Sequence, residues 1–277
     1  NGKNGKLKQS MDGFSFWNLA EIRYFLKCID NRKITPVIPQ QLWEEAKIST
    51  YNTYADSHSI IYVKRCIELF EKINKVKYHN DFREFIFESS LEDFCDVSDA
   101  DVVVSTIHKA KGQEFDNVYM MLSDDYSKDD HLIRRYYVGM TRAKNHLFIH
   151  TNGDIFNKIK NDSFNIDTTE YSMPEQVVLQ LTHKDVFLGF FKERKKEILS
   201  LRSGDILEYK DATFFNVATN NPVAKLSKSM QATLTDWHDK GYEVKSASVR
   251  FVVAWKSKDA PKEEPETAVI LIDLLLA

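Results

Sequence analysis

The sequence predicts an α/β domain built on a parallel sheet, followed by a small α+β domain of helix plus sheet or barrel. Short apolar runs at 102–104, 118–122 and 147–149 are typical of strands buried on both faces of a parallel sheet. A helical pattern at 132–143 separates the last two runs, and short alternating strands follow residue 205. This order of elements indicates an α/β arrangement, in which ligands bind at the strand ends.

The first domain is predicted to span 1–172 and to contain a small helical insertion at 33–98. A helix is expected to begin at Asn18, which forms a capping pair with Glu21, and to end at Asp30. The helices of the insertion are indicated by apolar residues at helical spacing: Ile60, Val63, Ile67 and Phe70, then Phe82, Phe85 and Ile86.

The second domain is predicted to span 173–277, where a helix at 185–201 and a turn at 202–205 precede a small sheet. The remaining elements are expected as strands at 206–209, 214–217, 249–255 and 268–276 and a helix at 229–240. Most aromatic residues of this domain are expected in its core, with a base-stacking platform and a partner-docking module as the other interpretations: Phe214, Phe215, Trp237, Tyr242 and Trp255.

Composition indicates a globular protein. With 277 residues and 43% hydrophobic content, the chain can bury one large core or two smaller ones. No run approaches the ~20 apolar residues of a bilayer span, and the polar opening lacks a secretory signal, so we expect a cytoplasmic protein with no membrane partner. The separated cysteines Cys28, Cys66 and Cys95 predict no metal site. The net charge of −3 leaves a nucleic acid partner open, because phosphate binding depends on where Lys and Arg cluster.

Two motifs carry the chemistry of the first domain. The loop from Ser105 to Phe115 brings a threonine, a histidine and two lysines to the end of a strand, where they are donors for phosphate oxygens. Gly112 lets the backbone approach a ligand closely, and Glu114 supplies an acceptor suited to a ribose hydroxyl. A helix then presents Arg142, whose guanidinium is a permanently charged, planar fork for a polyphosphate.

Taken singly, each of these residues has an ordinary structural explanation, such as a turn glycine or a solvated lysine. Their joint order and spacing favour function. Two segments resemble motifs V and VI of the UvrD/Rep-like superfamily 1 DNA helicases, written T-[IL]-H-x-[AS]-K-G-L-E-F and Y-V-[AG]-x-T-R-A: TIHKAKGQEF at 106–115 and YVGMTRA at 137–143. Gln113 stands where the family usually has Leu. The resemblance covers roughly residues 12–150 and implies a second RecA-like domain, the carboxy-terminal motor half of a helicase.

The resemblance also implies roles for individual residues. Arg142 is the expected catalytic arginine, which reaches the γ-phosphate across the cleft between two RecA-like domains, and Gly112 and Glu114 are the other expected nucleotide-binding residues. Single-stranded DNA is the expected partner, with contacts from five residues: Thr106, His108, Lys109, Tyr137 and Thr141.

The chain lacks the Gly-Lys-Ser/Thr box that a P-loop motor needs to cradle phosphates. We therefore expect ATP and Mg²⁺ to be cofactors of the complete protein, with neither bound tightly by this chain alone. The opening without Met is read as part of a longer protein, with the P-loop-containing RecA-like domain upstream or on another chain. A non-catalytic nucleic-acid or protein binding module with a degenerate RecA-like fold is the main alternative. A nuclease is a third, but Asp124-Asp125 and Asp129-Asp130 lack supporting metal ligands at suitable spacing.

Overall fold

The structure is a computed structural model that describes residues 5–7, 11, 13–30, 35–95, 102–107, 110, 112–122, 130–152, 166, 168–170, 172–191, 193–257, 261, 263 and 265–277. Its α-helices are α1 Ala20–Asp30, α2 Gln40–Thr53, α3 Ile60–Ile73, α4 His79–Glu88, α5 Asp130–Met140, α6 Lys195–Ser200 and α7 Lys228–Asp239. Its strands are β1 Gly5–Leu7, β2 Val102–Val104, β3 Phe115–Leu122, β4 Ala143–Thr151, β5 Val177–Gln180, β6 Ile206–Lys210, β7 Thr213–Asn216, β8 Pro222–Lys225, β9 Val244–Trp255 and β10 Thr267–Leu276. They divide into two compact units, Asn1–Gln9 with Val97–Ser172 and Ser10–Asp96 with Met173–Ala277.

The first unit contains a strand–helix–strand crossover. Strands β3 and β4 are parallel, with Val118 opposite Leu147, and α5 connects them in the chain. Met120 and Leu122 on β3 and Tyr136 on α5 form the buried core of this pair. Strand β1 pairs in parallel with β2. A parallel pair joined by a crossover helix confirms the predicted α/β class.

The strands of this unit are not buried on both faces, as the apolar runs predict. Tyr119 and Met121 are 61% and 74% exposed, and Val102 and Val104 on β2 are also exposed. Successive strand residues point to opposite faces, and among the described residues of this unit only α5 packs on the β3–β4 pair. The prediction of fully buried strands is therefore wrong for the described part of this unit.

The second unit is built on a six-stranded antiparallel sheet with the order β5-β10-β9-β6-β7-β8. Its longest pairing joins β9 and β10, from Thr267 opposite Trp255 to Leu276 opposite Val244. Adjacent residues of β9 are buried on opposite faces of the sheet, as Phe251 at 0% and Val252 at 3% exposure illustrate. Both faces of this sheet are therefore covered.

The helical segment α1–α4 belongs to this second unit. Phe25, Trp43, Phe70 and Phe82 pack ring against ring, with centroids of neighbouring rings 4.9–5.8 Å apart. Edge-to-face aromatic packing of this kind adds about 0.5–1.5 kcal/mol per pair to the free energy of burial. The same continuous core extends from these helices into the strands of the antiparallel sheet.

Local contacts fasten the helical segment to the sheet. Leu19 forms a β-bridge with Val253, and the amide of Asn18 donates to the Ala254 carbonyl at 3.1 Å. At the other end, the backbone N–H of His58 donates to the Ser203 carbonyl at 2.9 Å. The compact units therefore group residues differently from the predicted domains, because the helices at 33–98 bury their apolar faces against 173–277.

A buried ion pair connects three strands of the sheet. Arg250 on β9 is 2% exposed, and its guanidinium donates to the Asp273 carboxylate on β10. The same guanidinium donates to the Leu181 carbonyl, just beyond β5, at 2.8 Å. Removing one partner of such a pair leaves an uncompensated buried charge, which typically costs about 3–5 kcal/mol of stability.

Several elements differ from the sequence-based expectations. Helix α2 was not expected, because its buried stripe contains only Leu42, Trp43, Ala46 and Thr50, and the rest of the helix is polar. The expected helix at 185–201 is broken: Val186 bridges to Leu226, a short 3₁₀ turn follows at Leu188–Phe191, and only α6 is α-helical. Strands β5 and β8 were also not expected. No helix among the described residues is long and apolar enough to cross a bilayer.

Gly204 lies at the contact between the helical segment and the sheet. Its φ is +98°, and a Cβ built on it would lie 2.6 Å from Cε1 of the His58 ring. We predict that Gly204→Ala lowers the free energy of unfolding by about 0.5–1.5 kcal/mol more than Gly241→Ala, because the exposed His58 ring must turn to a less favourable rotamer. Gly241 is the matched control, because it has a φ of +92° but nothing within 4 Å of the added carbon. Urea unfolding followed by circular dichroism measures both; equal losses would show that backbone strain alone matters.

Candidate functional site

The candidate site lies where helix α5 ends and strand β4 begins. Tyr136 packs the helix onto the sheet, and Gly139 lies so close to β3 that an added Cβ would be 2.9 Å from the terminal carbon of Met120. The helix ends at Met140 and β4 begins at Ala143, so Thr141 and Arg142 form the junction. The packing of α5 therefore fixes where the Arg142 backbone lies.

Arg142 is held by hydrogen bonds from all three nitrogens of its guanidinium. Nε donates to the Val138 carbonyl at 3.1 Å, Nη1 to the Gln113 carbonyl at 3.2 Å, and Nη2 to the Thr141 hydroxyl at 3.1 Å. The Arg142 carbonyl accepts from the Phe115 N–H at 2.9 Å. The residue thus ties the end of α5 to the start of β3, and the guanidinium is only partly buried.

The loop before β3 brings Gly112 and Glu114 next to this arginine through Gln113. Gly112 has a φ of +82°, and a Cβ built on it would meet nothing within 4 Å, so its outer side is open. The Glu114 carboxylate is 3.9 Å from the Lys144 ammonium, and both side chains are more than half exposed. Such an exposed pair contributes about 0–1 kcal/mol, so Glu114 can readily exchange this partner for a ligand.

The expected DNA-contacting residues are distributed over two elements. Thr106 is exposed in the loop after β2, and Tyr137 is 68% exposed on α5. Thr141 is exposed beside Arg142, and its hydroxyl donates to the Val138 carbonyl at 3.0 Å while it accepts from the guanidinium. His108 and Lys109 lie outside the described residues. The structure therefore brings four of the expected site residues together: Arg142, Thr141, Gly112 and Glu114. Thr106 and Tyr137 are exposed elsewhere on the unit.

Sequence reasoning missed the groups that hold Arg142. The acceptors include the backbone carbonyls of Val138 and Gln113, and any residue type supplies a carbonyl. Gln113 was notable in the sequence only as a departure from the family pattern. In the structure, its backbone carbonyl, and not its side chain, accepts the hydrogen bond from Arg142. The close approach of Gly139 to Met120 and Ile107 had one sequence signal, which is the small residue at that place in the motif.

The aromatic residues of the second unit have different environments. Phe214 is fully buried in the core, which excludes it from a base-stacking platform. Trp237 and Tyr242 pack edge to face with centroids 5.3 Å apart, and both line a surface cleft. Phe215 and Trp255 are half-buried.

The α/β unit thus places a fixed arginine beside a glycine-containing loop where the parallel strands β3 and β4 begin. Residues 30–154 match the family of the UvrD-like helicase C-terminal domain. This part of the chain is therefore similar to the C-terminal domain of UvrD-like helicases. No curated protein and no solved structure matches the chain.

The close packing at Gly139 leads to a graded prediction. Gly139→Ala should be tolerated, because the end of the Met120 side chain can move away from one added carbon. Gly139→Val adds branches that also meet Ile107 and should destabilise the first unit by about 1–3 kcal/mol. Hydrogen exchange should therefore be faster for β3 and β4 amides in the valine variant and unchanged for β9 amides. Equal exchange in the two variants would contradict the inferred packing role.

Proposed function

We propose that this chain is the C-terminal motor half of an ATP-dependent DNA helicase and that Arg142 is its arginine finger. The observation that carries the proposal is the Arg142 guanidinium, which hydrogen bonds hold at the edge of the strand pair beside Gly112 and Glu114. Two RecA-like domains would form the complete motor, with this chain supplying the second one.

The geometry of Arg142 suits transition-state stabilisation. A guanidinium carries five N–H groups, and the bonds to Val138, Gln113 and Thr141 use three of them among the described residues. The remaining N–H groups can donate to the γ-phosphate oxygens of a nucleotide held by the facing domain. Since the side chain is already fixed, little reorganisation is needed when negative charge develops on the phosphoryl group.

Gly112 and Glu114 are proposed to contact the nucleotide as well. The open side of Gly112 allows a ligand to approach the backbone closely. Glu114 is a carboxylate acceptor suited to a ribose hydroxyl, and its exposed pairing with Lys144 is weak enough to be replaced. Both residues flank Gln113, whose carbonyl holds Arg142, so nucleotide contact and finger position are mechanically linked.

Single-stranded DNA is the proposed substrate track. Thr106, His108, Lys109 and Tyr137 would contact the strand, with hydroxyl and charged groups directed at phosphates and the exposed Tyr137 ring available for stacking. Thr141 would couple the track to the nucleotide, because its hydroxyl already accepts from Arg142. A strand that displaced this hydroxyl would change the position of the guanidinium.

ATP and Mg²⁺ are proposed cofactors of the complete protein. The ion, when bound, would neutralise negative charge during phosphoryl transfer. Its ligands are assigned to the P-loop domain, because this sequence lacks the Gly-Lys-Ser/Thr box that cradles the phosphates. This chain alone is therefore expected to show no ATP hydrolysis.

The test is DNA-stimulated ATP hydrolysis by the complete protein with its P-loop domain. Arg142→Ala should lower kcat about 10³–10⁵-fold, since that is the usual contribution of an arginine finger. Arg142→Lys should also be defective, because an ammonium cannot reproduce the planar fork. Arg134→Ala is the matched control, because Arg134 is exposed on the same helix and should leave hydrolysis unchanged. Full activity of Arg142→Ala would contradict the role assigned to Arg142, whereas a complete protein that shows no DNA-stimulated hydrolysis would favour the binding module with a degenerate motor fold.

A further inference from the structure

The second unit contains a cleft of about 520 Å³ between helix α7 and the antiparallel sheet. This volume falls within the ~300–1,000 Å³ typical of ligand sites. None of the residues proposed above for nucleotide or DNA lines it. Its walls come from four separate segments: Tyr209 from β6, Trp237 from α7, Tyr242 with Glu243 from the turn before β9, and Leu276 from β10.

Three aromatic side chains form the cleft walls. The Trp237 and Tyr242 rings are nearly perpendicular, and the Tyr242 hydroxyl donates to the Pro174 carbonyl, which fixes that ring. Burial and the nearby Asp211 carboxylate raise the pKa of Tyr209, so its ring stays neutral. Neutral aromatic faces carry a negative quadrupole that attracts cations.

The charge of the lining distinguishes between possible ligands. Among the residues that the structure describes, the lining contains the Glu243 carboxylate and neither lysine nor arginine. Aromatic faces beside a carboxylate attract a cation more than a phosphate. The chain itself illustrates this preference at the rim, where the Lys240 ammonium is 5.1 Å from the Trp237 ring centroid and the Lys245 ammonium is 3.3 Å from the Glu243 carboxylate.

We propose that this cleft binds an arginine or lysine side chain from a basic segment of a partner protein. The cation would lie against Trp237 and pair with Glu243, and its aliphatic stem would pack on Leu234 and Val244. Lys245 and Glu243 are both more than half exposed, so their weak pairing would be exchanged for the incoming cation.

The first test is an NMR titration of the full chain with a blocked peptide of alternating alanine and arginine. The indole N–H resonance of Trp237 should shift, whereas that of Trp17 should not. Trp17 is the internal control, because it does not line the cleft. A matched peptide of alanine and glutamate should leave both resonances unchanged. A shift of Trp17 alone, or no shift at all, would overturn the proposal.

Variants give the second test. Trp237→Leu should weaken binding of the arginine peptide about tenfold, in line with a desolvated cation–π contact, and Glu243→Gln should also weaken it. Lys245→Gln should tighten binding, because it removes the cation that competes for Glu243. Glu243 and Lys245 are exposed, so these two variants should keep the thermal unfolding midpoint of the parent chain. Unchanged affinity in both would contradict the assignment, as would a thymidine oligonucleotide that shifts the Trp237 resonance while the arginine peptide does not.

Discussion

The candidate site depends on the Arg142 guanidinium, which joins the end of helix α5 to the loop before strand β3. Arg142 donates to carbonyls at the end of α5 and before β3, while its own carbonyl accepts from Phe115 at the start of β3. Because both carbonyls belong to the scaffold, the charge is held in place without a ligand. The Thr141 hydroxyl is one of the groups that hold the guanidinium, and Glu114 follows Gln113, which supplies another. The proposed nucleotide and DNA contacts would therefore act on the same side chain. These contacts support the proposed coupling of nucleotide and DNA contacts through Arg142.

Much of the fold could be predicted because apolar periodicity reports local burial. The pattern at 132–143 gave α5, and the alternating run at 249–255 gave most of β9. Helix α2 escaped because its buried stripe includes Ala46 and Thr50, which carry little hydrophobic signal. The grouping of the helical segment with 173–277 could not be predicted, since it rests on contacts distant in sequence, such as Leu19 with Val253. Periodicity shows which face is buried and not which partner buries it.

The candidate site was proposed from the chemistry of side chains, and it stays a prediction. Motif spacing identified Arg142, Gly112 and Glu114, and the structure brings these three together. It could not identify the Val138 and Gln113 carbonyls, because a backbone acceptor has no residue type. The cleft of the second unit was missed for another reason: Tyr209, Trp237 and Tyr242 come from separate elements and only meet after the sheet has formed.

The central claim is that Arg142 acts on the transition state and not merely on nucleotide binding. The most direct measurement compares affinities of the complete protein for ADP–aluminium fluoride and for a non-hydrolysable ATP analogue, with and without the Arg142 side chain. If the guanidinium meets developing charge, its removal should weaken binding of the fluoride complex by about 10²-fold or more and leave the ATP analogue nearly unaffected. Equal losses for both ligands would contradict this role and would reduce Arg142 to a ground-state phosphate contact.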